Sequence, residues 1–170
     1  MRQKVNIDDT RFIFSTNFSG DPERDRFGSK TRRANVVIPT KEQAQILLHM
    51  GVNVKMTKPN PERQYDDPFE PEYYVPIVFN MESKWPPHVF WITPEGRKLQ
   101  CTIDTIGQLD YIRTKNVCVQ ANLVENKRNP GAFSLYADVM YVEQDVDADP
   151  YAQRYAARNM PSDPMDVPFI

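Results

Sequence analysis

Two cysteines, two histidines and six glycines are spread over 170 residues, and each scarcity closes off a class of protein. Cys101 and Cys118 lie 17 apart in apolar surroundings, which is neither CxxC nor zinc-ribbon spacing. They read as small buried apolar thiols, and neither a metal nor a cofactor is expected. His49 falls near the end of a helical stretch and His88 follows Pro86-Pro87, with no ligand or base motif around either. GxSxG, P-loop, HExxH and GxGxxG patterns are absent, so the chain reads as not an enzyme. The remaining catalytic reading is a metal-dependent nuclease assembled from scattered carboxylates. There is no run of about 18 apolar residues, and Met1-Arg2-Gln3-Lys4 leads into polar Asn6-Ile7-Asp8-Asp9 rather than a signal region. A cytoplasmic protein without membrane attachment is expected.

What is present fits one folded domain. The chain is 40% hydrophobic, 26% charged and 11% aromatic, with 15 prolines that demand irregular segments. At this length about 70% of the unfolded chain's surface can be buried, enough for a core without staples. The net charge of −2 is unevenly placed. Residues 144–170 hold Asp145, Asp147, Asp149, Asp163 and Asp166 against Arg154 and Arg158, so residues 1–143 are left at +1. A near-neutral domain over 1–143 and a disordered acidic tail over 144–170 follow from the charge split, the loss of apolar periodicity and three prolines after Met160.

Arg11-Phe-Ile-Phe-Ser-Thr-Asn-Phe18 predicts a strand with Phe12 and Phe14 on one face and Ile13 opposite. Ala34–Ile38 predicts a second strand, stopped by Pro39. Thr40 and Gln43 form a capping box for a helix to Met50, with Ala44, Leu47 and Leu48 on its buried face and Gly51 ending it. Residues 52–57 predict a strand with Val52, Val54 and Met56 inward. Residues 58–72 contain four prolines and predict a long excursion. Tyr73–Phe79 reads as a strand whose Pro76 favours an edge or bulge. Two hairpins follow, 88–102 and 116–142, separated by a short helix over 105–111. Seven or eight strands with one or two short helices predict a mainly β chain, an antiparallel barrel or sandwich.

Single-stranded nucleic acid binding needs bases for the backbone and aromatic faces for stacking. Arg24, Arg26, Phe27, Lys30, Arg32 and Arg33 fall within ten residues, though Asp21, Glu23 and Asp25 alternate with the first of them. Phe12, Phe14, Tyr73, Tyr74, Trp85 and Trp91 lie in or beside predicted strands, where core packing competes with stacking. Lys55, Arg97 and Lys98 complete the candidate DNA-binding set.

The ending Asp163-Pro-Met-Asp166-Val-Pro-Phe169-Ile170 resembles the acidic tip of single-stranded DNA-binding proteins. Asp166, Val167, Pro168 and Phe169 match it residue by residue, whereas Ile170 follows the phenylalanine and takes the terminal carboxylate. The resemblance implies a partner-binding tail made of Asp163, Asp166, Val167, Pro168, Phe169 and Ile170, docking on replication or recombination proteins. The body also resembles phage-encoded single-stranded DNA-binding proteins through Phe14-Ser-Thr-Asn-Phe-Ser-Gly-Asp-Pro22, Asn53-Val-Lys-Met-Thr57 and the Tyr136…Met140-Tyr-Val142 strand. This implies an OB-like β-barrel whose strands line a groove for single-stranded DNA, with sequence-tolerant binding during phage DNA replication and recombination in the host cytoplasm. The rival is a non-catalytic protein–protein adaptor using the 58–72 excursion and the tail over a β scaffold. The oligomeric state stays open.

Overall fold

The computed structural model describes residues 3–62, 64 and 68–146. Within them run β1 (Lys4–Thr10), β2 (Phe12–Asn17), β3 (Arg33–Val37), α1 (Lys41–His49), β4 (Lys55–Met56), β5 (Tyr73–Val78), β6 (His88–Ile92), β7 (Lys98–Cys101), β8 (Thr114–Glu125) and β9 (Phe133–Gln144). A short 3-10 turn at Pro22–Arg24 and a longer one at Ile106–Tyr111 complete the set. The strand order is β1-β8-β9-β5-β3-β2, with β4 added to β5, and the β6–β7 hairpin added to β9.

The two ends of that path are consecutive in the chain, because only Arg11 separates β1 from β2. One bent N-terminal segment therefore pairs with β8 through its first half and β3 through its second, and closes the sheet into an OB-like barrel. The corner is made by a register shift after Ile7 and by Asp9 at φ 52°. It is pinned where Thr10 Oγ1 donates to Val37 O and Val37 N donates to Arg11 O. The stretch 4–10 reads as polar because only Val5, Ile7 and Thr10 face inward, so sequence patterning misses this strand.

The core is the inward side of these strands, including Ile7, Phe18, Val36, Val75, Ile77, Phe79, Leu135 and Met140, joined by Ala44 and Leu47 from α1 and by Ile106 and Leu109. Each large apolar side chain buried this way contributes about 1.5–3 kcal/mol. Thr40 Oγ1 accepts from Gln43 N at 3.1 Å as the capping pattern predicts. The Gln43 amide, however, donates to Asn6 O at 2.7 Å and ties the helix to β1, while Leu48 is exposed.

Three further expectations change. The barrel is mixed rather than antiparallel, because β9 runs parallel to both β5 and β6. Regular pairing over 52–57 shrinks to Lys55–Met56, with Met56 exposed. Strand β9 also reaches Gln144, which accepts from Trp91 Nε1 at 3.0 Å, and Asp145 N donates to Arg113 O. The paired chain thus extends past the expected boundary at 143. Pro76 lies between β3 and an edge shared by β4 and β9. There β4 takes Tyr73 and Tyr74, β9 takes Ile77 and Val78, and Pro76 falls in the gap.

Candidate nucleic-acid interface

Strand alternation decides which candidate side chains reach solvent. On β3 and β5 the residues Ala34, Val36, Val75 and Ile77 turn inward, so Arg33, Asn35, Tyr74, Pro76 and Val78 form an outer wall. Cross-strand pairing places Val78 opposite both Arg33 and Tyr136, Asn35 opposite Pro76 and Ile13, and Lys55 opposite Tyr74.

Phe14 joins this wall by breaking the alternation. It holds φ 62°, a left-handed conformation costly for an aromatic residue, within the register shift between Ile13 and Asn17. Its ring is 62% exposed and meets Tyr74 edge-on at 5.2 Å. Phe12 goes the other way, packing on the core at 5.3 Å from Phe18. The even spacing of Phe12 and Phe14 had placed both on one face, and the bulge separates them.

Tyr73 and Trp91, expected as stacking candidates, also pack against the core. Trp85 and Phe27 are each 84% exposed, with Lys84 Nζ 5.9 Å from the Trp85 ring and the Arg26 guanidinium 5.7 Å from the Phe27 ring. Arg97 is exposed at the β6–β7 turn. Lys98 Nζ lies 5.0 Å from Phe90, which stacks on Tyr141 at 4.8 Å. Tyr136, Phe90 and Tyr141 were missed: strand patterning does not single them out, and only the fold brings Phe90 and Tyr141 beside Lys98 and Tyr136 into a groove with Lys30 and Arg32. Tyr136 and Tyr141 stand five residues apart on β9, about 17 Å.

The bases are less available than their number suggests. Arg24 donates to Thr16 O at 3.1 Å, lies 3.4 Å from the buried Asp110 carboxylate and covers the Tyr111 ring, so it fastens the loop instead of facing a strand. Arg33 is paired with Asp25 at 2.9 Å, and Arg32 with Glu82 at 3.7 Å. Among the described residues Arg26, Lys30 and Lys55 have no ion-pair partner. The arrangement is an aromatic edge flanked by Lys55 on one side and by Arg33 and Lys30 on the other.

Asp25 is held below its ordinary value of 3.8, first by the Phe27 N–H and then by Arg33, against the opposing effect of burial. A depressed carboxyl stabilises the native state above the unfolded value, and that contribution disappears as pH falls through the native one. Asp25→Asn should therefore be less stable than the parent near pH 6, with the gap closing below 3.8. Urea unfolding in steps from about pH 6 into acid checks this, and a gap that does not narrow at all as pH falls below 3.8 would assign the loss to something other than charge.

Cys101 is buried, which pushes its thiol up, whereas Cys118 is only half-buried beside the Asp9 amide at 3.3 Å. Among the described residues no group of three or more His, Cys, Asp or Glu side chains is placed to hold a metal, and no helix is long and apolar enough to cross a membrane. The tail candidates Asp163 to Ile170 lie outside the described residues.

No protein family matches the sequence, and no curated protein matches it. Two solved structures are similar to the chain. A C-terminal truncation of the single-stranded DNA-binding protein from bacteriophage Enc34 is 11% identical, with 86% of this chain and 87% of that one covered and a TM-score of 0.46. The single-stranded DNA-binding protein gp2.5 encoded by bacteriophage T7 is 9% identical, with 96% and 98% covered and a TM-score of 0.43.

Proposed function

We propose that this chain is a non-catalytic, sequence-tolerant single-stranded DNA-binding protein that protects or organises strands during phage DNA replication and recombination. The observation that carries the reading is the exposed Phe14–Tyr74 edge on a barrel wall flanked by Lys55, Arg33 and Lys30. A base has a flat face to stack there, and its phosphates meet cations on either side. Stacking accepts any base, which favours sequence tolerance, and duplex DNA hides the faces that would stack.

The test is anisotropy of a labelled oligo(dT) against the same length of duplex at low and moderate salt. Three or four neutralised phosphates should give a slope of log affinity on log salt of about −2 to −3 for a single strand. Equal affinity for duplex, or binding insensitive to salt, would count against the reading. Quenching should come from the exposed Trp85 in preference to the hydrogen-bonded Trp91.

The acidic tail is proposed to dock on replication or recombination partners and to compete for the basic wall. Residues 147–170 carry four acids and two bases. Because Gln144 and Asp145 are tied to the barrel, truncation belongs after Val146. Removing 147–170 should tighten strand binding at low salt, by a margin that shrinks as salt screens it. Unchanged affinity at low salt would rule out competition while leaving strand binding intact.

A further inference from the structure

Beside the aromatic edge, a groove of about 410 Å³ opens between the β2–β3 connection and the turn after β5, lined by Lys30, Thr31, Arg32, Asn80, Glu82 and Tyr136. Arg32 is the cation built into its wall, with a side chain only 16% exposed. Gly20, at φ +72°, borders it: a Cβ there would touch Arg32 Cγ and Cζ at an ordinary 3.5 Å and crowd Lys30 O at 3.1 Å. The buried Nε has no hydrogen-bond partner among the described residues.

The anion facing Arg32 is a poor match for it. Glu82 Oε1 stands 3.7 Å from Nη1, beyond hydrogen-bond length, on a side chain 74% exposed. This contact balances the guanidinium's charge without hydrogen-bonding it, and Nε is left with no acceptor among the described residues. A guanidinium fork is matched by two oxygens of one acid group, the geometry a phosphodiester supplies. Lys30 and the Asn80 amide border the same space, and Tyr136 offers a ring on its wall.

We propose that this groove is a phosphodiester site anchored by Arg32, in which Glu82 stands in for the phosphate and swings into solvent when a nucleic-acid strand enters. The inference rests on the single-strand reading above and adds to it a residue that sets the affinity. In the free protein Glu82 neutralises Arg32, so each strand must displace a carboxylate held on the protein. An exposed carboxylate is cheap to displace, which keeps binding reversible.

The experiment uses the full chain and labelled oligo(dT) in low salt, with Glu82→Gln, Arg32→Gln and the double variant. Glu82→Gln should bind about three- to five-fold tighter, the scale of one exposed ion pair. Arg32→Gln should bind more weakly and lower the salt slope by about one. In the Arg32→Gln background, Glu82→Gln should change nothing, because the partner it competes for has gone. Arg32→Lys keeps the charge without the fork and should fall between parent and Arg32→Gln, which covers the case in which glutamine disturbs folding. Tightening by Glu82→Gln that persists without Arg32 would reduce the effect to overall charge and overturn the proposal, as would no tightening at all. A parent chain that binds no strand at any salt sinks the functional reading itself, whereas a parent that binds with a flat Glu82 cycle sinks only this inference.

Discussion

Replacing Phe14 by glycine should leave the barrel folded and weaken oligo(dT) binding by about 5- to 150-fold, the range for losing one stacked base. The two halves of this expectation have separate causes. Phe14 contributes little to the core, since most of its ring is exposed and its neighbour is Tyr74. Its backbone sits at φ 62°, where a side chain is a cost and glycine is at ease. Glycine removes that cost and the ring–ring contact together, so the melting temperature should move little. Alanine is the worse choice because it keeps a Cβ in the left-handed region. Tyr74→Ala should weaken binding in the same sense, and the double variant should lose less than the sum because the two rings share one contact. Anisotropy titration beside a thermal melt reads both halves. Parental affinity in a folded Phe14→Gly protein would exclude this wall as the platform and move attention to Phe90 and Tyr141 on β6 and β9.

The way Phe14 reaches solvent also marks where sequence reading stops. Apolar alternation in β3, β5, β8 and β9 is plain in the sequence, because each of those strands buries one face. The 3.6-residue pattern and cap of α1 are equally plain. A bulge has no such signature: Phe12 and Phe14 keep even spacing on paper while one enters the core and the other leaves it. Barrel closure is hidden for a similar reason, since β1 has few inward apolar residues and makes its pairing with β8, more than a hundred residues away. The parallel pairings of β9 are also long-range, and no local pattern distinguishes them from a hairpin. The basic loop was legible as a cluster. The division of labour within it was not, because pairing of Arg24, Arg32 and Arg33 with Asp110, Glu82 and Asp25 depends on folded distances. Lys30 and Lys55 stand out only after those partners are placed.

Of these partners Asp110 should be the most costly to remove. Its side chain is fully buried at the end of the 3-10 turn Ile106–Tyr111, and it collects the end of β2 and the start of the following loop onto one carboxylate. Oδ1 accepts from Thr16 Oγ1 at 2.7 Å and from Phe18 N at 2.8 Å, Oδ2 accepts from Ser19 N at 3.0 Å, and Arg24 Nε stands 3.4 Å away. Gly107 allows the approach, since a Cβ there would meet Ser19 at 3.1 Å. Asp110→Ala strands two backbone amides and a hydroxyl and removes the counter-charge of Arg24, which keeps its hydrogen bond to Thr16 O. Each buried unsatisfied donor costs about 1–3 kcal/mol, and the partly exposed Arg24 adds less than the roughly 3–5 kcal/mol of a fully buried pair. The losses overlap, so about 3–5 kcal/mol in total is expected. For a chain of this size that lowers the melting temperature by about 6–20 °C. Asp110→Asn keeps the shape and one acceptor, so it should fall between alanine and the parent. Because Arg24 and the loop leading to Lys30 and Arg32 hang from this carboxylate, the folded alanine variant should also bind single strands more weakly at temperatures well below its melt. A loss under about 1 kcal/mol would mean that water reaches Phe18 N and Ser19 N and replaces the carboxylate. The anchoring of the basic loop would then have to come from Arg24 and Thr16 alone.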